Sequence, residues 1–507
     1  MAIKKLMAAL CAAAVLMMAG CAGSVQAPSD TAYDTVTDDT APDGTDIITE
    51  TAPPVVSEII ITEETASETA APGSENAVIG GRSYPITAEE LDLSGMMLTN
   101  SDIRELSKLT ELKSLSISYP DKNGAISDIS PVGELKKLEK LDLSGNMIKD
   151  ISVLGGLTAL KMLDLSDNRI ADVTALGKLS GLTELDLGNN DITNAYAVGR
   201  LGKLTVLHLG GNSLENTAFL GNLTQLTELD LSSDGITDVT DLGKLRALKI
   251  LRLGNNEITD ISALSELGRL TYLDISNNNV TGISPLSGLD SLKELDMSQN
   301  DVTDLSPLAG LSGLKSLSVC SKVLRSIYPL SSLTGLESLS LGYDRYEAHP
   351  ADKLMLSDLR PLSSLSMLTH LNIRGCSVSD LSPLTKLEKL TWLDASENSL
   401  KYIKPLGSMT GLTEIYLDHN AITDITPLGS VTELDTLWAG GNSISDLRPL
   451  GGLEKLRCLY LSDNSISDLS PLYNVKSLIW LDIGGNVVGE SELEKLRSAL
   501  PGCEAEI

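Results

Sequence analysis

The chain has 507 residues, 42% hydrophobic but only 3% aromatic, and a formal charge of −30 at neutral pH. Nucleic acid and anionic lipid surfaces both demand positive surface, so this balance disfavours them as partners. Cationic or neutral partners remain compatible with it.

In chain order, the first element is an export leader. Lys4 and Lys5 supply positive charge, Leu6 to Met17 form a short apolar run, and small residues follow. The run is too short to be a permanent membrane span. The segment Met18-Ala19-Gly20-Cys21 resembles a bacterial lipoprotein signal, which is cut before a cysteine that then carries lipid. The resemblance implies a leader over 1–20, lipidation of Cys21 and a cell-surface protein held at the membrane by its lipid alone. An ordinary secretory leader with an incidental cysteine is the other reading.

Residues 21–77 are rich in Thr, Ala, Ser, Pro, Asp and Glu, with no Lys or Arg between Lys5 and Arg82. Such a composition cannot bury enough apolar surface to offset its ordering entropy, so a disordered acidic stalk is expected. A coil of that length reaches roughly 40 Å. Val78 to Ile86, with Gly80-Gly81 at its middle, reads as a small hairpin, so that 78–90 forms an N-terminal cap.

From Leu91 the spacing Leu-x-Leu recurs eighteen times, mostly in steps of twenty-two residues. A fixed period in this range marks a solenoid. One copy reads Leu182-Thr-Glu-Leu-Asp-Leu-Gly-Asn-Asn-Asp-Ile-Thr, and an asparagine stands three residues past the second leucine in twelve copies, from Asn146 to Asn486. The pattern resembles the leucine-rich repeat family over about 88–507, in the twenty-two-residue form of bacterial internalin-like surface proteins. Residue patterning agrees with that fold: α/β, with each Leu-x-Leu a short strand of one concave parallel sheet of about eighteen strands. The asparagine amides should satisfy the turns leaving the strands. Ser-Pro pairs such as Ser130-Pro131, Ser306-Pro307 and Ser470-Pro471 should open short 3₁₀ turns on the convex side, with the serine hydroxyl as cap. The aspartates just ahead, such as Asp128, Asp304 and Asp468, read as turn and cap residues. The solenoid is expected over 91–489, with a helical C-terminal cap over 490–507.

Two copies are stretched, by four residues at 119–124 and by ten at 342–356. The second carries Tyr343-Asp-Arg-Tyr-Glu-Ala-His349, either a contact loop or a neutral insertion.

Residues flanking each Leu-x-Leu point outward onto the concave sheet. Early strands carry Asp142, Asp164, Asp186, Asp230, Asp274 and Asp296 there, interrupted by His208 and Arg252. These carboxylates read as a soluble face, or more weakly as a site for basic segments or Ca²⁺. Later strands carry Tyr416, Trp438 and Tyr460 in one column, flanked by Trp392 and Trp480. An exposed aromatic cluster marks an interaction site, with His370, Asn372, Arg374, Asp394, Glu414 and Asp418 as its polar rim and glycines such as Gly440, Gly441, Gly484 and Gly485 leaving room. Internalin resemblance implies that partner proteins dock on this face.

No nucleophile, acid–base or metal-ligand motif is present, and His370 and Cys458 would lie roughly 19 Å apart. The sequence therefore points to a non-enzymatic protein without cofactor or metal site. Its expected partner is a host or bacterial surface protein; a glycan-binding surface and an envelope scaffold are the alternatives.

Overall fold

The computed structural model describes residues 76–344 and 353–506. The leader, Cys21, nearly all of the stalk and the 345–352 part of the second insertion lie outside the described residues.

Strands β1 (Asn76–Ile79) and β2 (Arg82–Pro85) pair antiparallel. The turn between them needs two residues at positive φ, which Gly80 (+55°) and Gly81 (+78°) supply without a Cβ penalty. The alternation of β1 directs Ala77 and Ile79 into the core while Val78 stays half exposed. The hairpin thereby covers leucines that a bare first repeat would leave wet.

Eighteen strands follow, from β3 (Glu90–Asp92) to β20 (Trp480–Asp482), each only three residues long. Every strand pairs in parallel with the next, leucine opposite leucine, as in Leu163↔Leu185 and Leu273↔Leu295. A nineteenth strand, β21 (Glu504–Glu506), adds to β20 after the terminal helix α1 (Glu490–Ala499). The sequence carries no Leu-x-Leu at this strand; Glu-Ala-Glu pairs through its backbone instead. No pairing joins β3 to β21 among the described residues, so the sheet has two ends.

The two leucines of each strand, the leucines of the return limb and the isoleucine after the asparagine form one continuous buried core. Each fully buried leucine contributes roughly 1.5–3 kcal/mol.

The asparagines supply the polar framework. Asn168 Nδ2 donates to Leu143 O at 3.0 Å in the preceding coil and to Leu165 O at 3.1 Å in its own. Its Oδ1 accepts the Ile148 amide at 2.9 Å. Each asparagine thus ties two coils together.

The residue just before it lies at positive φ in copy after copy, as at Asp167, Asn189, Asn255, Asn277 and Gly211. Asn, Asp and Gly tolerate that region best, which accounts for their frequency there.

Among the described residues, seventeen 3₁₀ turns return the chain along the convex side. The capping expectation needs correction. The Ser-Pro serine is the first residue of the turn and its hydroxyl makes no capping bond; the aspartate two residues earlier caps instead. Asp128, Asp304 and Asp468 accept the amides of Ser130, Ser306 and Ser470 at 2.8 to 2.9 Å.

The first insertion is structural. It folds Tyr119 inward, where its hydroxyl accepts the Leu98 amide at 2.7 Å and bonds Met96 O.

Candidate functional site

Three outward columns run along the concave face: the residue before the first leucine of each strand, the residue between the leucines, and the residue after the second. On β15 (His370–Asn372), β16 (Trp392–Asp394), β17 (Glu414–Tyr416), β18 (Thr436–Trp438), β19 (Cys458–Tyr460) and β20 the first two columns exchange bulk. Trp392 and Trp480 stand in the first column beside Asp394 and Asp482 in the second. Between them, Tyr416, Trp438 and Tyr460 fill the second column beside Glu414, Thr436 and Cys458 in the first. Large and compact side chains alternate so that the rings lie down over their neighbours.

The result is an unbroken row of six rings on six strands. Centroid separations run 6.2 Å from His370 to Trp392, 5.4 Å to Tyr416, 6.1 Å to Trp438, 3.6 Å to Tyr460 and 6.3 Å to Trp480. Trp438 and Tyr460 stack with planes 22° apart, and the Tyr416 hydroxyl donates to Glu414 Oε2 at 2.7 Å.

All eleven residues expected to form the site come together here, but their exposure differs from the expectation. Tyr416, Tyr460 and Trp480 are only 9%, 7% and 5% exposed. The rings bury one another, and solvent meets chiefly His370, Trp392 and Trp438. Two of the expected rim residues are buried. Asp394, 1% exposed, accepts the Ser396 amide at 2.9 Å. Arg374, 5% exposed, pairs with Glu397 of the next repeat at 2.8 Å, a partner that outward alternation alone does not suggest. Glu414 and Asp418 remain partly open.

Gly440, Gly441 and Gly485 do not provide open space either. Gly441 and Gly485 hold positive φ in the turns, and a Cβ on Gly440 would lie 3.1 Å from Ser462 Oγ. At the end of the row the indole N–H of Trp480 is buried without an acceptor. Partial desolvation holds the His370 imidazole below its ordinary pKa.

The acidic half of the face is built differently. Asp142, Asp164, Asp230, Asp274 and Asp296 each accept the backbone amide two residues ahead, closing the turn off the strand. They are turn residues first. Burial, and then the neighbouring carboxylates of Asp186 and Asp142, push Asp164 up to about 7. His208 and Arg252 divide the carboxylates. Burial opposes the charge on His208, yet its bonds to Asp186 (3.0 Å) and Glu228 (3.4 Å) raise it to about 10. Arg252 reaches Glu228 at 2.7 Å and lies 5.3 Å over the Tyr272 ring. Among the described residues no three His, Cys, Asp or Glu side chains converge in a metal-binding group.

Two family models match the chain: Leucine Rich repeats (2 copies), at 158–197, 268–310, 388–430 and 432–474, and Leucine rich repeat, at 121–170 and 224–280. The chain is a leucine-rich repeat protein. Solved structures share its fold. A leucine-rich repeat protein of Leptospira interrogans is 24% identical, with 83% of this chain and 96% of that one aligned and a TM-score of 0.58. The ectodomain of the Arabidopsis thaliana receptor kinase GASSHO1/SCHENGEN3 is 24% identical over 82% of this chain and 56% of its own, at 0.62. The functional domain of InlJ from Listeria monocytogenes is 22% identical over 75% and 76%, at 0.52. No curated protein sequence matches the leucine-rich repeat chain.

Proposed function

We propose that this leucine-rich repeat protein is a non-enzymatic, lipid-anchored cell-surface receptor or adhesin that holds a partner protein on the concave face of β15 to β20. The observation that carries the reading is the six-ring row. Elsewhere on the concave face the outward residues are mainly small or charged, whereas here the largest side chains of the chain gather. Tryptophan and tyrosine dominate binding energy at protein interfaces. Nucleic acid is not the expected partner, given the formal charge of −30.

With the full chain as bait against host and bacterial surface proteins, a specific partner should be retained. The Trp438→Ala, Tyr416→Ala double variant should lose it while keeping a native far-UV spectrum. Equal retention by that variant would place the site elsewhere. The anchor is tested separately: Cys21→Ser should abolish palmitate incorporation and release the protein from the membrane fraction.

Stacked indole and phenol rings also suit sugar faces, so glycan binding is the second reading. Specific hits on a glycan array that vanish in Trp438→Ala would favour it.

A further inference from the structure

We propose that a cleft on the convex side, around Tyr196, binds a sugar unit of a neutral oligosaccharide. The phenol ring would lie under the pyranose, with Asp172, Asn194 and Arg200 on its hydroxyls. The site is separate from the ring row and does not depend on the concave-face reading.

The cleft comes from an irregular coil. In the preceding coil Val173 and Leu176 anchor the five-residue 3₁₀ turn Thr174–Lys178. Here the same two places hold the smaller Ala195 and Val198, both buried. Less side chain fills the core beneath this stretch, and its turn is cut to three residues, Val198–Arg200. Between the two coils lies a cavity of about 410 Å³, lined by Ala171, Asp172, Asn194, Tyr196, Ala197 and Arg200. Sites for small molecules begin at roughly 300 Å³.

The lining carries the chemistry of a sugar site. Tyr196 is 55% exposed, at the place of Thr174 and Ala218 in the coils on either side. Asn194 Oδ1 accepts the Tyr196 amide at 3.0 Å, which leaves Nδ2 as a donor. Asp172 Oδ1 accepts the Thr174 amide at 2.8 Å, and a carboxylate has acceptor sites to spare. The Arg200 stem lies over Gly177, and among the described residues no ion pair engages its guanidinium.

A pyranose presents an apolar C–H face and, at its edge, hydroxyls that both donate and accept. An open ring, a fixed amide donor, a carboxylate and a guanidinium match those features. An ionic ligand fits less well, because a carboxylate and a guanidinium line the same cleft and either sign of charge meets both. The formal charge of −30 also opposes anionic sugars at long range and leaves neutral ones unaffected.

Tyr328 supplies an internal control. It occupies the same place six coils on, is 73% exposed, and opens the intact five-residue turn Tyr328–Ser332.

The full chain is applied to a printed array of neutral and acidic oligosaccharides, and the strongest hit is titrated by calorimetry. At least one neutral glycan should bind. Tyr196→Ala should weaken it about tenfold, the scale of one lost ring contact. Asn194→Asp keeps an oxygen for the Tyr196 amide, as Asp172 does for Thr174, but exchanges the donor for an acceptor. It should weaken binding comparably while the melting temperature stays unchanged. Tyr328→Ala should have no effect. Absence of a neutral hit, binding that survives Tyr196→Ala, or equal loss in Tyr328→Ala overturns the proposal. So does a hit lost in Trp438→Ala instead, which would assign sugar binding to the ring row. Capture of a protein partner should be indifferent to Tyr196→Ala, so the two readings fail separately.

Discussion

Asp234 occupies the place in its copy that asparagine fills in the copies on either side. Its Oδ1 accepts the Asn212 amide at 2.8 Å, but its Oδ2 is buried without a partner, where an asparagine would present a donor. Burial is the main reason its carboxyl is pushed up to about 7. The sign of the pH effect follows. Below about pH 4 the group is protonated in folded and unfolded chains alike. Between there and 7 only the folded chain holds the proton, so its contribution to stability falls as pH rises and levels off above 7. Asp234→Asn should remove that slope and stabilise the protein at pH 8 by roughly 1–3 kcal/mol, the cost of an unmet buried polar atom. Urea unfolding at pH 5 and pH 8 checks both, and an unchanged slope would show that the carboxyl is not the source. Trp480 poses the complementary case. Its indole N–H has no acceptor to lose, so Trp480→Phe should cost no more than about 1 kcal/mol by the same measurement.

At the level of the repeating coil, the asparagine framework makes a local prediction. Asn278 donates to Leu253 O, Ile275 O and Ser276 O and accepts the Ile258 amide at 2.9 Å. Asn278→Ala strands those groups in the core and should cost about 3 kcal/mol. In a solenoid each unit feels chiefly its neighbours, so the loss should stay local. Hydrogen exchange at Ile258 should accelerate strongly while the amides of β19 and β20 keep their protection; acceleration throughout would mean global rather than local coupling.

This framework was legible in the sequence because it repeats: leucine, asparagine and aspartate recur at fixed offsets, and the parallel register follows. The burial of the ring row was not. Whether Trp438 or Tyr460 stands up or lies down depends on the small residue beside it, Thr436 or Cys458, and on rings one strand away. Outward alternation assigns a face but not an exposure. For the same reason Asp394 and Arg374 read as open rim residues although neighbouring strands cover them. The turn role of the acidic column was visible only as an Asp followed two residues later by Ser or Gly, a pattern its charge obscured.

The whole molecule is a stack with a constant repeat, and such a stack has no internal reason to stop. A strand edge with unmet backbone groups is a template for another copy of the chain, and head-to-tail addition that never closes yields filaments. The two ends found here carry the same sign. Glu90 and Asp92 flank the buried leucine of β3, and Glu504 and Glu506 flank Ala505 of β21, all four exposed. Bringing one molecule's last strand against the next one's first would set carboxylate against carboxylate. Like charge at the two sheet ends therefore opposes such end-to-end addition. Reversing one end with Glu504→Lys and Glu506→Lys should make the ends complementary. Sedimentation velocity should then show mass growing with concentration, whereas a strictly monomeric variant would mean that the caps alone hold the ends apart.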